Sequence, residues 1–187
     1  MKRLLIFLIL FIPLLASAEG KILMIIAPKD FRDEELLIPK KAFEEKGFKV
    51  ELASKTDKEA IGMFGTKVKP HLSLRKVRVD EYKAVVFVGG SGTPVYFDDQ
   101  EALRIAKEAQ AKNKVLGAIC LAPSILAKAD LLKGKRATVW PSEEKTLKEK
   151  GAIYTGKAVE VDGLIVTANG PQAAHEFAKA LLELLKK

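Results

Sequence analysis

Three short apolar runs constrain this chain most: 21–27 (KILMIIA), 84–88 (AVVFV) and 115–119 (VLGAI). Each is continuous rather than alternating, as a strand is when both of its faces are covered. Such a sheet needs helices on either side, and the segments between the runs supply them. Asp33-Glu34-Glu35 opens one helix, with Leu36, Leu37, Ile38, Ala42 and Phe43 on its apolar positions and Gly47 as its stop. Pro39 is expected to deform its first turns. Asp98 or Asp99 caps a second helix reaching about residue 112, and a third spans 123–129. Ala174, Phe177, Ala178, Leu181, Leu184 and Leu185 mark the docking face of the last. The alternation predicts one α/β domain with a mostly parallel sheet between layers of helix.

Residues 49–53 (KVELA) alternate as a further strand, and 158–161 and 164–168 flank Asp162-Gly163, a strong hairpin signal. The stretch 55–78 is irregular, with Gly62, Gly65 and β-branched residues pointing to short strands or a hairpin.

The first eighteen residues stand apart from this pattern. Lys2 and Arg3 precede a 13-residue apolar run, 4–16, that contains Pro13, and Ala16-Ser17-Ala18 offers small residues at a cleavage point. This predicts an export signal, 1–18, removed before Glu19, and a domain of 169 residues, 19–187, in a periplasmic or extracellular setting. The alternative is a retained anchor, for which the run falls short of the ~20 residues that span a bilayer. Without Lys2 and Arg3 the formal charge is +6, spread as lysines beside glutamates. No aromatic-interleaved basic cluster is present, so no nucleic-acid partner is expected. Five Asn and Gln against 26 Lys and 16 Glu is a balance seen in proteins from hot surroundings. With one cysteine no intrachain disulfide forms, and no His, Cys and carboxylate spacing fits a metal site.

That cysteine, Cys120, falls between the strand 115–119 and the helix starting at Pro123, at the carboxyl edge where open α/β sheets bind ligands. Two readings are open from position alone. A sharp strand-to-helix turn lifts the sulfur toward free N–H groups and the positive end of a helix, which favours thiolate. A free cysteine also serves as a small buried hydrophobe at a strand end.

Four segments speak to that choice. They are Glu34-Glu35-Leu36-Leu37-Ile38-Pro39 followed by Gly47-Phe48-Lys49-Val50; Val86-Phe87-Val88-Gly89-Gly90; Gly117-Ala118-Ile119-Cys120-Leu121-Ala122-Pro123; and Val161-Asp162-Gly163-Leu164-Ile165-Val166-Thr167 through Gly170-Pro171. In this order they resemble the first helix and second strand, the second glycine turn, the nucleophile elbow and the closing hairpin of the ThiJ/PfpI superfamily, which is class I glutamine amidotransferase-like. The resemblance implies a flavodoxin-like α/β sandwich and a homodimer or higher homo-oligomer. It also implies a site, with Cys120 as the reactive thiol and Glu35, four residues before Pro39, as the acid beside it. The backbone N–H groups of Gly90 and Leu121 match an oxyanion-binding pair. A protonated Glu35 donating to sulfur favours thiolate, whereas an ionised one opposes it. Read alone, Glu35 is an ordinary first-turn carboxylate.

The departures from the family pattern bear on function. Peptidase-like members carry His directly after the nucleophile, and Leu121 stands there with an aliphatic side chain that accepts no proton. His71 falls in the irregular stretch and His175 on the polar side of the last helix, both expected as surface residues. Trp140 occupies a position that is often His, where it walls the pocket or stacks on a ligand. Peptide hydrolysis then lacks a base for deacylation, whereas thiolate addition to an electrophilic carbonyl needs only an acid such as Glu35. The resemblance thus implies the non-peptidase branch, a glyoxalase- or deglycase-like enzyme acting on small reactive carbonyl compounds or their adducts, with no cofactor. A redox-responsive or chaperone-like stress protein without turnover is the alternative, and a cysteine peptidase the third.

Overall fold

The computed structural model describes residues 19–186, so the expected export signal lies outside the described residues. The chain opens on β1 (Lys21–Ile25), β2 (Lys29–Phe31) and α1 (Asp33–Glu45). It continues through β3 (Lys49–Ser54), β4 (Ala60–Gly62), β5 (Lys67–Val68), β6 (Leu72–Ser73) and β7 (Ala84–Phe87). Next come α2 (Gln100–Ala111), β8 (Val115–Ile119), α3 (Pro123–Lys128), β9 (Arg136–Ala137) and α4 (Glu144–Glu149). Last are β10 (Ile153–Tyr154), β11 (Val159–Asp162), β12 (Ile165–Ala168) and α5 (Ala174–Leu185).

Seven strands form the main sheet in the order β11-β12-β8-β7-β1-β3-β6. Every neighbouring pair is parallel except β11–β12. Successive residues of the central strands enter opposite cores. Leu23, Ile25, Val85, Phe87 and Leu116 join Ala102 and Ile105 of α2, Ile125 and Leu126 of α3 and Leu147 of α4. Ile22, Met24, Ala84 and Val86 meet Leu36 and Phe43 of α1 and Phe177, Ala178 and Leu181 of α5. This two-sided burial is why the runs are continuous. Each fully buried Leu, Ile or Phe contributes roughly 1.5–3 kcal/mol, so the sheet centre is a rigid floor for whatever its edge carries.

The local signals act as their chemistry requires. Asp99, of the two candidates, caps α2 by accepting the N–H groups of Glu101 and Ala102 at 3.0 and 3.1 Å. Gly163 turns β11 into β12 with φ 61°. α1 runs through Pro39, which offers no N–H to the carbonyl one turn earlier. The irregular stretch holds the antiparallel pair β4–β5. β2 adds to it and completes a three-stranded sheet that the sequence pattern did not show. β9, β10 and α4 were likewise unforeseen, being elements of two to six residues with too little length for a period to show.

β1 sends the chain to β3 on one side and later receives β7 on the other. The strand order therefore reverses at the carboxyl edge between β1 and β7, the place where open α/β sheets leave a crevice.

Candidate functional site

Cys120 leaves β8 with φ 62°, a left-handed conformation that costs a non-glycine residue about 1–3 kcal/mol. Hydrogen bonds hold it there: its N–H donates to Ala168 O at 2.9 Å, and its carbonyl accepts from Trp140 N–H at 2.8 Å. The side chain is buried, and the N–H groups of Gly90 and Leu121 lie near enough to favour negative charge on its sulfur.

Glu35 reaches the same point from the first turn of α1 and is wholly buried. Its Oε2 accepts the N–H of Gly89 at 3.0 Å, while Oε1 has no partner of ordinary hydrogen-bond geometry. The Cys120 thiol lies within interaction range of the same carboxyl. Gly89 makes the meeting possible, because a Cβ there would lie 2.5 Å from both Cys120 Cβ and Glu35 Oε2.

Burial pushes Glu35 up to about 8, against the pull of Cys120, the Gly89 N–H and the nearby Arg32. The carboxyl therefore keeps its proton at neutral pH and has an O–H to give to sulfur. Burial also pushes the Cys120 thiol up, to about 12, with repulsion from Glu35 as the second cause and the Gly90 and Leu121 N–H groups opposing. Two acids this close share one charge. Burial of the sulfur, more than the charge on Glu35, accounts for the high thiol value. This corrects the expectation that the sharp turn and the helix start favour thiolate: α3 has only six residues, and desolvation outweighs its dipole.

A cavity of about 280 Å³ opens over the sulfur, lined by Arg32, Met63, Gly90, Ser91, Cys120, Leu121, Trp140, Ser142, Pro171 and Gln172. Trp140 is 41% exposed, and its ring lies over Gly170, where a Cβ would come within 2.8 Å of it. Thus Cys120, Gly90, Leu121 and Trp140 share the cavity, with Glu35 beneath it. The two histidines are elsewhere. His71 Nδ1 accepts the N–H of Leu52 at 2.9 Å, bonding to β3 beside its pairing with β6, and His175 is exposed on α5.

Sequence reasoning missed Arg32, Asp33 and Met63. Asp33 accepts the N–H groups of Phe64 and Thr66 at 2.9 and 3.0 Å, which pins the turn between β4 and β5. Burial opposes its charge, but bonds from Thr66 and Phe64 prevail and hold its carboxyl below its usual range. Gly62 leaves room, since a Cβ there would sit 2.6 Å from Asp33 Oδ1. The available signal was the acidic triplet itself. Its three carboxyls face three different partners: the turn for Asp33, Arg32 for Glu34, and Cys120 for Glu35.

A larger cleft of about 610 Å³, lined by Lys55, Arg75 and Asp99 among others, contains neither Cys120 nor Glu35, and its Lys55 pairs with Asp99 at 3.2 Å. Among the described residues no group of three or more His, Cys, Asp or Glu is placed to hold a metal ion.

Known proteins resemble this chain in sequence and in fold. An uncharacterised protein of Methanocaldococcus jannaschii is 45% identical over 172 residues, covering 90% of this chain and 84% of that one. A Pyrococcus horikoshii protein named as a deglycase is 30% identical over 166 residues, covering 89% and 99%. The crystal structure of a ThiJ/PfpI domain protein from Brachyspira murdochii matches with a TM-score of 0.88 at 32% identity, covering 91% and 98%. With residues 20–184 matching the family as a whole, the chain belongs to the DJ-1/PfpI family.

Proposed function

We propose that this protein is a cysteine-dependent enzyme acting on small reactive carbonyl compounds or their adducts, in the manner of a glyoxalase or deglycase. The observation that carries the proposal is a buried thiol and carboxyl pair beneath a small cavity with no imidazole on its wall. The pair first loses one proton to solvent. The thiol proton of Cys120 then moves to the ionised Glu35 as the sulfur adds to the carbonyl carbon: the S–C bond forms, the C=O π pair moves to oxygen, and Glu35 passes that proton on to the oxygen. The product is a hemithioacetal. The N–H groups of Gly90 and Leu121 stabilise the oxyanion on the way. The deglycase name of the Pyrococcus relative supports the same class, and Leu121 weighs against a peptidase.

The proposal extends to an exported protein, from the pattern at residues 1–18, and to a homodimer that covers the exposed Met63 and Phe64. A redox-responsive protein is the second reading, favoured by the same two N–H donors, which suit the oxygens of a sulfinic acid.

Methylglyoxal consumption separates the two. The purified protein is expected to consume it, and Cys120→Ser to reduce the rate to background. Equal rates in both proteins would sink the enzyme reading. No consumption, together with a peroxide-formed sulfinic acid that raises the melting temperature, would favour the redox reading.

A further inference from the structure

The cavity over Cys120 has one charged wall. Among its lining residues Arg32 alone carries a permanent charge, and no carboxylate lines it to receive a cation. Ser91, Ser142 and Gln172 add neutral donors, and Gly90 and Leu121 add backbone N–H groups. A pocket so rich in donors matches an oxygen anion better than a cationic or wholly apolar guest.

Arg32 is also held in place. Its Nε and Nη2 donate to Glu34 at 2.9 and 3.2 Å, its guanidinium lies 4.6 Å from the centre of the Phe64 ring, and its backbone N–H donates to Gly89 O at 2.9 Å. Nη1 stays outside that contact with Glu34. Because Glu34 offsets the charge at long range, any selection by Arg32 acts through short, directional N–H bonds rather than through a distant field.

We infer that Arg32 is a specificity-determining residue that seats a carboxylate or similar oxyanion beside the carbon attacked by Cys120. The inference rests on the reading of Cys120 as the atom that meets substrate and narrows the substrate class. Small carbonyl compounds with an acidic group next to the carbonyl, of which glyoxylate is the simplest, are taken in preference to neutral ones such as glyoxal.

Iodoacetate and iodoacetamide test this without any turnover. Cys120 is the chain's single cysteine, so each reagent has one thiol to modify. In both reactions sulfur displaces iodide, an S–C bond replacing a C–I bond, and the reagents differ only in carrying a carboxylate or an amide beside the attacked carbon. A change in thiolate fraction or access acts on both and cancels in the ratio of their rate constants.

The iodoacetate to iodoacetamide ratio of the unaltered protein is expected to exceed that of Arg32→Met by roughly tenfold, equivalent to ~1.4 kcal/mol. Arg32→Lys is expected to fall between, since an ammonium keeps the charge but not the fork. Equal ratios in the unaltered protein and Arg32→Met overturn the inference. If Arg32→Met does not fold, the ratio of the unaltered protein is compared with that of free glutathione, and equality again overturns it. A high ratio in a protein that consumes neither methylglyoxal nor glyoxylate leaves the anion seat standing and sinks the enzyme reading, so the two fail separately.

Discussion

Glu51 on β3 and Glu35 on α1 are the same residue type in the same molecule, and their protons are held in opposite ways. Glu51 accepts from Lys49 at 2.9 Å, Lys21 at 3.1 Å and the Tyr82 hydroxyl at 2.8 Å. Burial opposes its charge, but these three partners prevail and bring it down to about 2. Glu35 has one backbone N–H and a thiol, and burial takes it up to about 8. The difference teaches that burial alone does not decide a carboxyl's state; the number and kind of partners do. Near the start of β1 the fold satisfies its acid, and at the carboxyl edge it leaves Oε1 without an ordinary partner beside the one thiol.

The largest expected effect comes from closing the space between the members of the second region. Gly89→Ala drives a methyl to 2.5 Å from Cys120 Cβ and 2.6 Å from Ile119 O. Urea unfolding is expected to show a loss of roughly 3 kcal/mol, near the upper end for overpacking. An unchanged midpoint would mean that thiol and carboxyl leave room for a methyl group between them.

A smaller effect separates the two acids by pH. Glu51 sits below its ordinary value of 4.5 when folded, so its contribution is present above that value and is lost as pH falls toward about 2. Glu35 sits above the same value when folded, so the unfolded chain ionises first and stability falls as pH rises from 4.5 toward about 8. Glu51→Gln is expected to flatten the acid limb and to lower stability at neutral pH by about 2 kcal/mol. Glu35→Gln is expected to flatten only the limb between 4.5 and about 8. Urea titrations across this range that show the same slope in either variant as in the unaltered protein would erase the contrast.

The part of this picture that was legible in the sequence is the part fixed by neighbours along the chain. Continuous apolar runs gave the central strands, Asp99 the cap of α2, Asp162-Gly163 the hairpin and Pro123 the helix after the cysteine. What was not legible depends on residues far apart. Glu35 and Gly89 are separated by 54 positions, and Asp33 and Thr66 by 33. Neither pairing leaves a periodic trace. The resemblance of the glutamate and cysteine segments to a family brought Glu35 and Cys120 together on paper, but a helix start read from sequence says nothing of desolvation. The same limit hid Arg32, whose place on the cavity wall follows from β2 pairing with β4 and from the turn that brings Phe64 under its guanidinium.

The central claim is that Glu35 keeps its proton at neutral pH and shares it with Cys120. Its most direct test is the rate of Cys120 alkylation by iodoacetamide at pH 7 in the unaltered protein and in Glu35→Gln. A glutamine can keep the bond from Gly89 N–H and offer an N–H of its own to sulfur, so it mimics the protonated acid. The expected rate for Glu35→Gln is within about threefold of the unaltered protein and no faster, since a neutral donor has replaced a neutral donor. A rate roughly tenfold faster, the effect of lowering the thiol pKa by about one unit, would show that an ionised Glu35 had been repelling the thiolate and would contradict the account.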